Sequence, residues 1–216
     1  MRSARAAATA GCLRRAVVAG ARRLAQERLV VGTTGNVSVR SAETMWITPS
    51  RRAYADLSAE QIVGVDIGTG AALGPGTPST ELPMHLAVYR ARPDTAAVVH
   101  THSPHATAWS FLGRPLPALT EDLGYYGLGA IDTRSGGTPG SETLAAAVVN
   151  GLGPTGGALL LAGHGTVAIA DVLELALDRA LAIEYVAHVA WLLLGSGCHQ
   201  PAVDTVRGGP AHRALR

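Results

Sequence analysis

Apolar residues fall along this chain in short β-branched runs and in longer stripes at helical spacing, separated by loops rich in glycine and hydroxyl residues. Residues 4–28 interrupt every apolar run with arginine, which predicts an amphipathic surface helix closing near Gly32. Residues 32–40 (GTTGNVSVR) run from a small-residue loop into a strand, with a partner strand at 45–48 across the turn Ser41-Ala42-Glu43. Another short strand is predicted at 61–66, followed by a glycine-rich loop at 68–76. Residues 78–94 read as a loop opening a helix, in which Ser79 or Thr80 can cap, Leu82, Leu86 and Tyr89 make the apolar stripe, and Pro93 stops it.

The next stretch, AAVVHTHSPHATAWS at 96–110, carries the first chemistry. Its apolar start predicts a buried strand that delivers His100 and His102 at i, i+2 spacing. Strand side chains alternate faces, so both imidazoles point one way and can share a metal ion. Residues 159–165 (LLLAGHG) repeat the design with His164 at a strand end, framed by Gly163 and Gly165. A third imidazole completes a facial three-histidine set, which in catalytic zinc sites leaves room for water or substrate. Residues 112–119 form a proline-broken loop, and the glycine-rich segment that follows, to Ser141, has no assignable pattern. Ser141 caps a helix running through Asn150. Asp171 and Glu174 predict a capping box for a last helix that reaches Gly195, with Leu173, Leu177, Leu181, Tyr185, Val189 and Leu192 as its apolar side. Residues 1–195 are read as one domain and 196–216 as a loosely ordered tail, and there is no internal repeat.

Composition narrows the chemistry. The chain has 216 residues, 47% of them apolar, and a formal charge of +2 without any block of one sign, so one α/β domain is expected and a nucleic-acid footprint is not. There is no lysine. Schiff-base catalysis, pyridoxal-phosphate anchoring and the P-loop are thereby excluded, and any carbanion chemistry needs another electron sink. Cys12 and Cys198 match no CxxC spacing, the N-terminal region has no unbroken signal-peptide core, and the longest apolar run, 189–194, is too short to span a bilayer. A cytoplasmic protein with reduced thiols and no membrane contact is expected. Three loops can meet an anion: Gly35 and Asn36, Ser50 beside Arg51 and Arg52, and Ser79 with Thr80 at a helix start. Each also reads as ordinary turn or surface, and Glu81 as a carboxylate suited to the helix dipole.

In order and separation, GTTGNVSVR, WITPSR, PSTELPMH, VVHTHSPH and LLLAGHGT resemble the class II aldolase/adducin family, in particular its fuculose-phosphate aldolase branch, over about residues 10–195. The resemblance implies a three-layer αβα sandwich with a mainly antiparallel sheet, assembled as a C4 homotetramer with active sites between neighbours. It implies Zn²⁺, or another divalent ion, held by His100, His102 and His164, with Glu81 as an acid/base that also touches the metal. Gly35, Asn36, Ser50, Arg51, Ser79 and Thr80 would bind the phosphate of a sugar phosphate. The implied reaction is retro-aldol cleavage of a ketose 1-phosphate to dihydroxyacetone phosphate and an aldehyde through a metal-stabilised enediolate. A lysine-free chain needs such a Lewis acid.

Three departures from the family pattern stand out. Arg51 replaces the glycine of the phosphate loop, Glu121 stands where the branch has a tyrosine, and no tyrosine follows Tyr185. Tyr125 or Tyr126 is a candidate substitute. The alternatives are a pentulose-phosphate 4-epimerase using Asp122, a dehydratase or decarboxylase of the same family, a metal-free adducin-like head, and a non-catalytic metal-binding module.

Overall fold

The computed structural model describes residues 2–196. Helix α1 (Arg2–Gln26) leads into a hairpin of β1 (Asn36–Ser41) and β2 (Thr44–Ile47), then β3 (Val63–Asp66), α2 (Leu82–Ala91) and β4 (Ala97–Thr101). Two short helices, α3 (Pro104–Ser110) and α4 (Glu121–Tyr125), precede β5 (Thr133–Arg134), α5 (Glu142–Leu152), β6 (Ala158–Leu161), β7 (Gly165–Ala170) and α6 (Leu173–Gly195). The seven strands form one sheet in the order β3-β2-β1-β4-β7-β6-β5. Every pairing is antiparallel except β5 with β6. One apolar core lies between the sheet and α1, α3, α4 and α6, and a second between its other face and α2 and α5. The result is the α/β three-layer, mainly antiparallel architecture expected.

Strand alternation explains which residues meet. On β4, Ala97 and Val99 join the first core and Val98 the second, so His100 faces the α2 side. On β1, Val37 and Val39 join the first core, which turns Asn36 and Ser38 to that same side. Asn36 pairs directly with His100 in the β1–β4 ladder.

Several elements differ from expectation. Residues 158–170 fold into two strands where one was expected, and His164 occupies the tight turn joining β6 to β7, with Gly163 at φ +67°. The break is the short Ala162-Gly163-His164 segment, and the glycines flanking His164 suit a close approach at a strand end as well as a turn. Neither Ser79 nor Thr80 caps α2, whose N-cap position is Glu81. At α6 the N-cap is Val172, and the Asp171 box does not form. The buried side of α6 is built from Leu173, Leu177 and Ile183 with alanines 176, 180 and 187, while Tyr185 is 53% and Leu192 62% exposed. Small residues let the helix sit close against β4 and β7, with which it packs. Ser141 does cap α5, its Oγ accepting from the Leu144 N–H at 3.1 Å. Residues 197–216, including Cys198 and nearly all of the expected tail, lie outside the described residues, and no helix among those described is long and apolar enough to cross a membrane.

Gly165 fixes the His164 turn against β4. A Cβ there would lie 2.0 Å from the Thr101 carbonyl oxygen. Gly165→Ala is therefore expected to cost about 3 kcal/mol of overpacking, read as a lower urea midpoint. A variant with the midpoint of the parent protein would contradict this packing.

Candidate metal centre

The sheet end near His100 gathers four side chains from three places. β4 carries His100 and, one residue beyond its end, His102; the β6–β7 turn brings His164; the start of α2 brings Glu81. The three imidazole centroids form a triangle with every side 4.8 Å. The ligand atoms of His100, His102, His164 and Glu81 all lie within 4.8 Å of one another. His100 Nε2 is 2.9 Å from His102 Nε2 and 3.0 Å from Glu81 Oε2. His100 and Glu81 are buried, whereas His102 and His164 are half-buried, so the group opens to solvent on their side.

Proton bookkeeping indicates what this group lacks. His100 Nδ1 lies 2.8 Å from the Thr166 carbonyl oxygen, which can only accept, so Nδ1 carries the proton of the neutral ring. The Nε2 lone pair then faces a carboxylate oxygen and a second imidazole nitrogen. His164 Nε2 sits 3.2 Å from Glu81 Oε1 without hydrogen-bond alignment, and both atoms are buried and unpartnered. Such convergence of lone pairs is unfavourable unless a cation sits among them. Burial, followed by the neighbouring His100 and His164, pushes His102 down to about 4, which keeps it in the neutral form that ligates. Burial alone would raise the Glu81 carboxyl, but positive charge and N–H donation from the imidazole side, His100 first, with His164 and Asn36, hold it well below the usual carboxylate range, and a cation among the rings would act in the same direction. The donor set, three imidazoles and a carboxylate with an open side, fits a divalent metal.

The loops expected to meet phosphate are brought together in part. Pro49 and Pro78 form an antiparallel bridge, the Ser50 N–H donates to the Thr77 carbonyl at 2.9 Å, and the Ser79 N–H donates to the Thr48 carbonyl at 3.0 Å. Ser50, Arg51, Ser79 and Thr80 thus sit on two adjoining loops. Ser79 is buried with its hydroxyl accepting from the Glu81 N–H, and Thr80 is exposed. Gly35, at φ +71°, has no room for a Cβ, which would meet Val30 at 2.4 Å and the His100 carbonyl at 2.8 Å. Arg51 takes φ +56°, a left-handed backbone that costs an ordinary residue about 1 kcal/mol and suits glycine, and its side chain is exposed. The loop thus keeps a glycine-like shape while carrying a guanidinium.

Asn36 differs from expectation, because its amide is turned inward. Nδ2 donates to Glu81 Oε2 at 2.9 Å, and Oδ1 meets His85 Nε2. Sequence reading did not single out His85, or Tyr54, whose hydroxyl donates to the Gly35 carbonyl and is pushed up to about 12 by burial. His85 lies in α2, one helical turn beyond Glu81, and that spacing was the available signal. Tyr125 is 83% exposed on α4, and Asp122 is engaged by the Thr120 hydroxyl at 2.6 Å in the first turn of the same helix.

A three-layer α/β sandwich with a three-histidine, one-carboxylate group at a sheet end defines a metal-binding enzyme class. Residues 15–191 match the Class II Aldolase and Adducin N-terminal domain family, and the chain belongs to that family. Its relatives are class II aldolases, and the chain is an enzyme of this kind, a lyase. It is 39% identical over 173 residues to the L-fuculose phosphate aldolase of Haemophilus influenzae, covering 80% of this chain and 79% of that one. It is 37% identical over 185 residues to the 5-methylthioribulose-1-phosphate/5-deoxyribulose-1-phosphate aldolase of Rhodospirillum rubrum, covering 84% of this chain and 81% of the relative. Among solved structures, L-fuculose-1-phosphate aldolase from Thermus thermophilus superposes with a TM-score of 0.78 at 28% identity, over 87% of this chain and 97% of that one. Class II aldolases use a divalent metal, and the Glu81/His100/His102/His164 group can bind one.

Proposed function

We propose that the protein is a zinc-dependent aldolase that cleaves a ketose 1-phosphate to dihydroxyacetone phosphate and an aldehyde. The observation that carries this reading is the convergence of three imidazoles with a buried carboxylate in a chain without lysine. His100, His102 and His164, with Glu81 in the resting state, would hold the ion. Bound there, zinc supplies Lewis acidity toward the negative charge that develops on the ketone fragment. Cleavage breaks the bond between C3 and C4; the C4 hydroxyl gives up its proton as it becomes the aldehyde, and C3 of the three-carbon fragment gains one. Glu81 is the group assigned to move a proton at its carboxylate oxygens, with Asn36 Nδ2 steadying Oε2. Gly35, Ser50, Arg51, Ser79 and Thr80 are assigned to the phosphate, which anchors the remote end and fixes orientation. Asn36 serves Glu81 rather than the phosphate in this reading.

A C4 homotetramer with sites between neighbours is part of the proposal, as is a cytoplasmic location. Phe111 and Leu112, 72% and 43% exposed, with Phe111 against Gly163 beside His164, are apolar surface near the site that a neighbouring copy would cover in such an assembly. The names of the relatives point to ketoses ending in a small or apolar group, such as fuculose, 5-deoxyribulose and 5-methylthioribulose 1-phosphates.

Purified protein should be assayed with L-fuculose 1-phosphate, 5-deoxyribulose 1-phosphate and ribulose 5-phosphate in parallel, with and without chelator. Dihydroxyacetone phosphate release from a 1-phosphate, lost on chelation and restored by Zn²⁺, is the expected result. Cleavage that survives complete metal removal would sink the mechanism, and epimer formation without cleavage would select the epimerase.

A further inference from the structure

Behind Glu81 runs a buried chain of polar side chains, of which the reaction outlined above uses only Asn36. Tyr89 Oη lies 2.8 Å from Ser38 Oγ, Ser38 Oγ lies 2.7 Å from His85 Nδ1, and His85 Nε2 meets Asn36 Oδ1. Asn36 Nδ2 closes the series on Glu81 Oε2. His85 has no exposed surface, Ser38 has none, and Tyr89 has 1%.

The direction of every bond follows from the last one. A carboxylate only accepts, so the amide must present Nδ2 to Glu81 and Oδ1 to His85. Oδ1 only accepts, so His85 carries its proton on Nε2. Nδ1 is then a lone pair, Ser38 must donate to it, and the Ser38 oxygen takes the Tyr89 proton. Each member has one arrangement that satisfies its neighbour, and reversing any member leaves a buried polar atom unpaired or two acceptors face to face. Burial also pushes His85 down to about 3, so the ring stays neutral through the working range.

We propose that His85 is a positioning residue of the aldolase site, which locks the Asn36 amide in the one orientation that offers an N–H, not a carbonyl, to Glu81. The inference rests on the proposed reaction for its rate readout only. Without the His85 donor only the carboxylate holds the amide, Oδ1 is left buried and unpaired, and the amide can swing away so that Nδ2 leaves Glu81. Glu81 is then no longer held in the position in which it handles the proton, while the three imidazoles keep the metal.

The test is a double-mutant cycle on metal-loaded enzyme, with metal content and thermal midpoint measured alongside. His85→Leu is expected to lower kcat about 10–100-fold, the usual cost of losing a group that orients a metal-site side chain, with unchanged metal per chain. In an Asn36→Ala background the same change should cost less than about 2-fold, because the amide it acts on is gone. His85→Gln, with a donor and an acceptor of its own, should recover most of the lost rate. Equal losses in both backgrounds would overturn the proposal. Should His85→Leu fail to fold, imidazole ¹⁵N NMR of the native holoenzyme still decides: an Nε2–H tautomer for His85, identified by its loss in His85→Gln, is expected, and an Nδ1–H or protonated ring refutes the relay. That readout needs no substrate, so it stands apart from any failure to cleave a ketose 1-phosphate.

Discussion

His102→Ala is expected to yield a folded protein that no longer retains a divalent metal through dialysis, with activity lost in proportion. His102 is the proposed ligand to remove because it is the least entangled of the three. It is half-buried, lies just past the end of β4, and contacts the site only through the other imidazoles and the carboxylate. His100 is wholly buried and tied to the Thr166 carbonyl, and His164 shapes the turn between β6 and β7, so changes there would confound metal loss with unfolding. The stability change in His102→Ala should stay under about 1 kcal/mol, as for substitutions away from the core. Affinity should fall by more than the roughly 100-fold upper range seen when only a supporting group of a metal site is altered. Metal content by elemental analysis and affinity by calorimetry check this. A His102→Ala protein that keeps one tightly bound metal per chain would mean the imidazoles are not the ligands.

How far the sequence foretold this centre depends on how local each relation is. The partnership of His100 with His102 follows from strand alternation, and the approach of His164 was signalled by the glycines beside it, since Gly165 has no space for a side chain against β4. That His164 lies in a hairpin turn was hidden because Gly163 and Gly165 serve equally for a turn and for close backbone approach at a strand end, and the break between the two strands is only three residues long. The orientation of α6 was hidden for a related reason. Apolar residues occur all around it, interspersed with Glu174, Asp178, Arg179, Glu184 and His188, so a leucine stripe could be drawn where the fold buries alanines against the sheet and turns Tyr185 and Leu192 outward. The inward turn of Asn36 was beyond reach of spacing altogether, since its partners Glu81 and His85 lie 45 and 49 positions away and meet it only through the pairing of β1 with β4 and the seating of α2. Arg51 is the opposite case: its mismatch with the family glycine was visible, and the left-handed backbone explains why glycine is favoured there.

Glu81→Gln is expected to separate holding the metal from using it. The substitution preserves shape, and three imidazoles remain as ligands, so metal per chain should match that of the parent protein. The amide oxygen can still accept from Asn36 Nδ2 where Oε2 now does. What disappears is the negative charge and the ability to take up a proton. General acid–base groups contribute about 10²- to 10⁴-fold, and kcat should fall within that range while KM changes little, because the adjoining loops proposed to hold the phosphate are untouched. Added Zn²⁺ distinguishes the two variants. Excess metal should restore part of the rate to His102→Ala, whose defect is occupancy, and none to Glu81→Gln, whose defect is proton transfer. Normal turnover in Glu81→Gln would remove the carboxylate from the chemistry, and loss of metal in that variant would reduce it to a ligand. If both variants behave as expected, the carboxylate works at the metal as a proton carrier, and its placement by Asn36 and His85 becomes part of catalysis.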